Sequence, residues 1–156
     1  MKKRIKKIAI VGFIIFLLLQ CYQPARNIGY EQYFSANFTE MYKVPKSVEM
    51  TLRNSCYDCH SDNTNYPWYS YIQPVRFFMD GHINEGKKEL NFNEFGNYSN
   101  RKQENKLDRI KKQIKKDEMP LKSYTLIHRN AILSTTQKKE ILNWITKIQD
   151  SLATEN

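Results

Sequence analysis

Apolar and polar positions alternate along this chain in several distinct patterns, and each predicts a different element. The first 27 residues read MKKRIKKIAIVGFIIFLLLQCYQPARN; nothing from Ile8 to Ala25 is charged, and Ile8 to Leu19 is apolar throughout except for Gly12. A continuous apolar run behind a basic flank is the pattern of an export signal or a membrane anchor. The dense core has signal-peptide length, whereas the whole uncharged stretch is just long enough to cross a bilayer as a helix. Bulky Leu17, Leu18, Leu19 and Gln20 stand where a signal peptidase requires small side chains, so residues 1–23 are expected to be an uncleaved anchor. Cys21 reads as an apolar residue near the end of that anchor, with lipidation after cleavage as the alternative.

Residues 24–43 are polar and aromatic with no steady period, which suits a tether, and the globular part is expected over 44–150. There the period becomes helical. Pro45 opens a helix with Val48 and Leu52 on one face that runs into Cys56. The stretch SDNTNYPWYSYIQP is too irregular for a regular element and reads as an aromatic loop. A short helix is expected from Pro74 to about Gly86, and a single turn around Phe92 and Phe95. Leu107, Ile110 and Ile114 recur at three and four residues and predict an amphipathic helix over 100–116. Ser134 and Gln137 form a capping box for a last helix with Ile141, Leu142, Ile145 and Ile148 as its buried stripe, followed by a tail over 151–156. No strand alternation, repeat or glycine-rich phosphate loop interrupts this series, so the fold class is all-α.

Composition changes the picture in one respect. A formal charge of +9 suggests nucleic acid until it is divided along the chain. Five basic residues precede Ile8, and beyond them 20 basic face 16 acidic residues. That remainder is a mild surface property, and no nucleic-acid partner is expected. The lysine-rich run from Lys102 to Lys116 reads as a solvated helix face, with steering of an acidic redox partner as its alternative use.

The densest chemistry lies in NSCYDCHSDN, where Cys56 and Cys59 are two residues apart and His60 follows at once. C-x-x-C-H is the spacing of covalent haem attachment: each thiol adds to one vinyl group, and the adjacent imidazole becomes the proximal iron ligand. Two other chemistries use such a pair. A redox disulfide needs no histidine at that position and usually sits in a βαβ context, which is missing. A zinc site completed by His82 or His128 would make awkward co-ligands of adjacent Cys59 and His60.

An electron carrier also needs a second axial ligand and an apolar crevice. Met119, stiffened by Pro120 in KKDEMPLKSY, is the expected distal ligand, with His128 and His82 as alternatives. His128 otherwise reads as a partner for a haem propionate or a backbone carbonyl. Trp68 and Tyr69, in the aromatic loop, are candidate walls of the haem pocket.

CYDCHSDNT at 56–64, YPWYSYIQP at 66–74, HINEGKKELNF at 82–92, MPLKSYTLIH at 119–128 and AILS at 131–134 together resemble a family of bacterial haem-binding domains, a branch of the monohaem c-type cytochromes. The resemblance implies a small cytochrome c-like helical domain behind the N-terminal segment. It also implies one haem c on Cys56 and Cys59, with His60 proximal. The function expected from motif and resemblance is a membrane-tethered periplasmic cytochrome passing single electrons between redox partner proteins. The alternatives are a five-coordinate haem protein acting as a peroxidase or gas sensor, and a non-haem thiol oxidoreductase.

Overall fold

The computed structural model describes residues 1–29 and 37–154, with side chains described as far as residue 152. Among these residues the chain forms eight α-helices: α1 (Lys2–Gln20), α2 (Phe38–Met41), α3 (Lys46–Ser55), α4 (Tyr57–His60), α5 (Val75–Glu89), α6 (Asn100–Lys115), α7 (Lys122–Ile127) and α8 (Thr135–Thr154). Short 3₁₀ turns at Trp68–Tyr71, Phe95–Asn97 and Arg129–Ala131 link them. The only β pairing among the described residues is an isolated bridge between Ile28 and Asn63. The all-α expectation holds.

The helical stripes read from the sequence become the core. Val48 and Leu52 of α3, Leu107 and Ile114 of α6, and Ile141, Ile145 and Ile148 of α8 are buried together. Trp144 joins them, while Leu142 is only partly buried. The α8 capping box forms as expected: the Gln137 side chain accepts from the Ser134 amide at 2.8 Å, and the Ser134 hydroxyl accepts from the Gln137 amide at 3.2 Å.

Four expectations need revision. The first is the bilayer-crossing helix over residues 8–25. Among the described residues no helix is long and apolar enough to cross a membrane. α1 ends at Gln20, and its uncharged part, Ile8 to Gln20, is about 20 Å long at 1.5 Å per residue, short of the ~30 Å hydrocarbon core. The chain leaves the helix because polar groups at its last residue and just beyond bind the domain. Gln20 Oε1 accepts from the Gln73 amide at 2.9 Å, the Gln73 side chain donates to the Tyr22 carbonyl at 2.7 Å, and Gln23 donates to the Tyr71 carbonyl at 3.2 Å.

The second revision concerns the expected tether, of which residues 30–36 lie outside the described residues. On either side of them the chain is packed. Phe38 is 1% exposed, and its ring centroid lies 4.6 Å from that of Phe95 and 5.2 Å from that of Trp144. Residues 24–27 are held by buried Arg76, which pairs with Asp80 at 2.6 Å and donates to the Pro24 and Ala25 carbonyls at 3.0 and 3.3 Å. Asn27 is fastened to the loop after α4 by donation to the Ser61 carbonyl at 2.8 Å and the Thr64 hydroxyl at 2.9 Å. The third revision is at α5, which continues past Gly86 to Glu89. The fourth is the expected tail, of which residues up to Thr154 belong to α8, and 155–156 lie outside the described residues.

Candidate functional site

α4 is a single turn that packs against α5, and a glycine sets their separation. A β-carbon on Gly86 would stand 2.6 Å from the backbone oxygen of Cys59, closer than any side chain can sit. The missing side chain lets the two backbones touch, and this contact orients the histidine. His60 Nδ1 lies 2.8 Å from the Gly86 carbonyl oxygen and 3.1 Å from that of Leu90. Carbonyl oxygens only accept, so Nδ1 carries the proton and Nε2 keeps its lone pair for a ligand. Burial also holds the His60 pKa below its ordinary value, against the pull of those two carbonyls, so the ring is kept neutral. The same end of α4 is held once more, because the Phe92 amide donates to the His60 carbonyl at 2.8 Å.

Cys56 and Cys59 are both free thiols and half-buried. Burial raises the Cys56 thiol to about 12, with the neighbouring Cys59 adding to it, and raises Cys59 to about 11, with Asp58 adding to it. Such surroundings favour thiols over thiolates. Between them in sequence, half-buried Asp58 borders two of the cavities over the motif and anchors a network. Its carboxylate accepts from the Asn65 amide at 3.0 Å and from the Tyr124 hydroxyl at 2.7 Å. Burial and this carboxylate push the Tyr124 phenol far above its usual range. The Tyr124 ring stacks on His128 with centroids 4.2 Å apart and planes within 12°.

Three adjoining cavities, of about 260, 170 and 250 Å³, form a crescent over the motif. The middle one is bordered by Cys56, Cys59, His60, His82, Met119 and Pro120. The one beyond Cys59 is walled by Tyr69, Phe78, Met79, Ile127 and Tyr124, while the one beyond Cys56 is walled by Leu52, Phe92, Ile110, Ile114 and Leu133. The fold thus brings Cys56, Cys59, His60 and Met119, 59 residues after His60, around one space.

The other sequence candidates are placed differently. His82 is exposed on α5 and borders two of the cavities. His128 borders only the cavity beyond Cys59, and its Nε2 is hydrogen-bonded to the Tyr69 hydroxyl. Tyr69 lines that same cavity, whereas Trp68 is 76% exposed and borders none of the three. Among the described residues no group of three or more His, Cys, Asp and Glu side chains is placed to hold a metal ion. Sequence reading missed Gly86, Tyr124 and Met79. Only Gly86 carried a local signal, a glycine next to a helical pattern that read as a helix end, whereas α5 runs on to Glu89.

Two thiols and an imidazole with a free lone pair, under an apolar crescent, suit a flat apolar ligand with a metal at its centre. A family model described as a haem-binding domain matches residues 14–147, and the chain belongs to that haem-binding domain family. No curated protein and no solved structure matches the chain.

Proposed function

We propose that this protein is an exported monohaem c-type cytochrome that carries single electrons between redox partner proteins. Cys56 and Cys59 would hold the porphyrin through thioether bonds, and His60, through Nε2, and Met119 would bind its iron. When bound, haem c supplies a one-electron ferric/ferrous couple. The protein's own residues do the rest. The Gly86 and Leu90 carbonyls hold the His60 proton on Nδ1 and so fix which nitrogen faces the iron. Phe92, Ile110, Ile114 and Leu133 on one side, with Phe78 and Ile127 on the other, exclude water from the ring.

The observation that carries this reading is the commitment of His60 Nδ1 to two backbone carbonyls within the space that both thiols and Met119 border. A thiol oxidoreductase needs neither that bond nor that space, and its nucleophile needs surroundings that lower a thiol pKa instead of raising it.

The basic flank and the apolar stretch from Ile8 to Leu19 have the proportions of an export signal, and α1 has no buried residue. We read this segment as the device that delivers the domain outside the cytoplasm, with lipid as the medium for its exposed Ile, Phe and Leu side chains.

The experiment is optical. The reduced protein, matured in a host that attaches haem, is exposed to carbon monoxide. A six-coordinate carrier gives an unchanged spectrum, while rapid carbon monoxide binding indicates an open iron site and supports the peroxidase or gas-sensor reading.

A further inference from the structure

The proposed haem leaves one chemical demand unmet. A porphyrin carries its two carboxylates on the edge opposite its vinyl groups. A ring joined at Cys56 and Cys59 therefore turns its carboxylates away from α4, toward another element. Carboxylates in a mostly apolar space need cationic or hydrogen-bonding partners. The sequence offered His128 for this, but its Nε2 is hydrogen-bonded to Tyr69.

Among the residues bordering the three cavities, the lysines and arginines are Lys106 and Arg109, one turn apart on α6, both at the cavity that Cys56, His60 and Met119 also border. Within the run read as a solvated face, the Lys106 side chain is only 14% exposed. Among the described residues a single carboxylate pairs with these two cations. Glu89 pairs with Arg109 at 2.7 Å and lies 4.0 Å from the Lys106 ammonium, which donates to the Glu89 backbone carbonyl. Burial and then the Arg109 charge hold the Lys106 pKa below its ordinary value, with Lys102 adding to the effect and Glu89 opposing it. Two cations thus face the cavity with one carboxylate between them, and both keep donors to spare.

We propose that Lys106 and Arg109 form the seat of a haem propionate at the end of the crescent beyond Cys56. This rests on the cytochrome reading above. The titratable groups around the seat are Glu89 from α5, Lys106 and Arg109 from α6, and Cys56 and His60 from the motif; the Met119–Pro120 loop brings none. Positive charge there keeps the propionate ionised and favours the reduced iron, whose net charge is lower.

The test is spectroelectrochemical titration of the full chain carrying haem. The double variant Lys106→Gln, Arg109→Gln is expected to lower the midpoint potential. It should also move the pH at which the potential starts to vary upward by about 1–3 units, the effect of removing an opposite charge from a carboxyl group. Glu89→Gln is expected to raise the potential, since it unmasks the cations. The exchange Lys106→Arg, Arg109→Lys, which keeps both charges, should stay close to the parent and stands in if the neutral variant fails to fold. Potentials that do not move, or that move the same way in the neutral and Glu89→Gln variants, would show that α6 acts only as packing. A denaturing gel stained for haem is run on each sample. Covalent haem with unmoved potentials overturns the propionate seat alone, whereas a colourless parent protein overturns the cytochrome reading beneath it.

Discussion

His60 Nδ1 points at the carbonyl oxygen of Gly86 from 2.8 Å, although 26 residues separate them in sequence. The bond exists because Gly86 lets α5 lie directly on the cysteine turn, and it decides which nitrogen of the histidine is free. Spacing in C-x-x-C-H sets the imidazole beside both thiols; this contact fixes its orientation.

Gly86→Ala tests the contact with a built-in sign. In an open helix the change gains roughly 1 kcal/mol, because alanine is the better helix former. Here the new methyl group would meet the Cys59 backbone oxygen at 2.6 Å. Overpacking of that kind costs about 1–3 kcal/mol, and it pushes the Gly86 carbonyl away from His60. Denaturant unfolding is expected to show net destabilisation, and haem staining a lower yield of covalent haem. A more stable variant with full haem content would remove Gly86 from the site.

Met119, His82 and His128 are separated by one spectroscopic series. Met119→Ala is expected to lose the weak far-red methionine-to-iron band, to bind carbon monoxide in the reduced state and to have a lower potential, since thioether ligation raises it. His82→Ala should keep all three properties of the parent. His128→Ala should keep the iron ligation too, because its Nε2 is engaged by Tyr69. If His82→Ala opens the iron to carbon monoxide and Met119→Ala does not, the distal assignment passes to α5.

Arg76 has no part in the proposed chemistry and a large part in the fold. Its side chain is 1% exposed, pairs with Asp80 and holds the Pro24 and Ala25 carbonyls. Breaking a buried pair by removing one partner typically costs about 3–5 kcal/mol. Arg76→Met is therefore expected to lower the denaturant midpoint strongly. Limited proteolysis should then cut within residues 22–29 while α5 to α8 stay resistant; equal resistance in parent and variant would show that this segment is held by other contacts.

Tyr124→Phe removes the donor to the Asp58 carboxylate while keeping the ring stacked on His128. Hydrogen bonds to charged groups contribute about 1.5–3 kcal/mol, so unfolding experiments at neutral pH should register a loss of that order. An unchanged midpoint would mean that water replaces the tyrosine hydroxyl fully.

The elements legible in the sequence were those whose cause is local. The stripes of α6 and α8 repeat at three and four residues, the Ser134–Gln137 box needs only three residues, and C-x-x-C-H is a contiguous motif. The family found over residues 14–147 is the one that the motif and its flanking segments resemble. What escaped depends on contacts distant in sequence. Phe38 stands in a polar stretch without a period and enters the core because Phe92, Phe95 and Trp144 converge on it. Gly86 looked like a helix end because its role appears only when α4 lies against it. Lys106 looked solvated because its neighbours on α6 are, and only the fold turns it toward the cavity. The bilayer-crossing length was misjudged from uncharged length: the count ran past Gln20, where α1 ends, through Tyr22 and Gln23, and polar atoms of Gln20, Tyr22 and Gln23 bind residues 71–73.

The most direct test of the central claim is intact mass spectrometry under denaturing conditions on the full chain matured in a haem-attaching host, with Cys56→Ala, Cys59→Ala run alongside. The account predicts that the parent carries the added mass of one haem that survives unfolding and that the double variant lacks it. A parent polypeptide at its bare mass, colourless after maturation, would contradict the account.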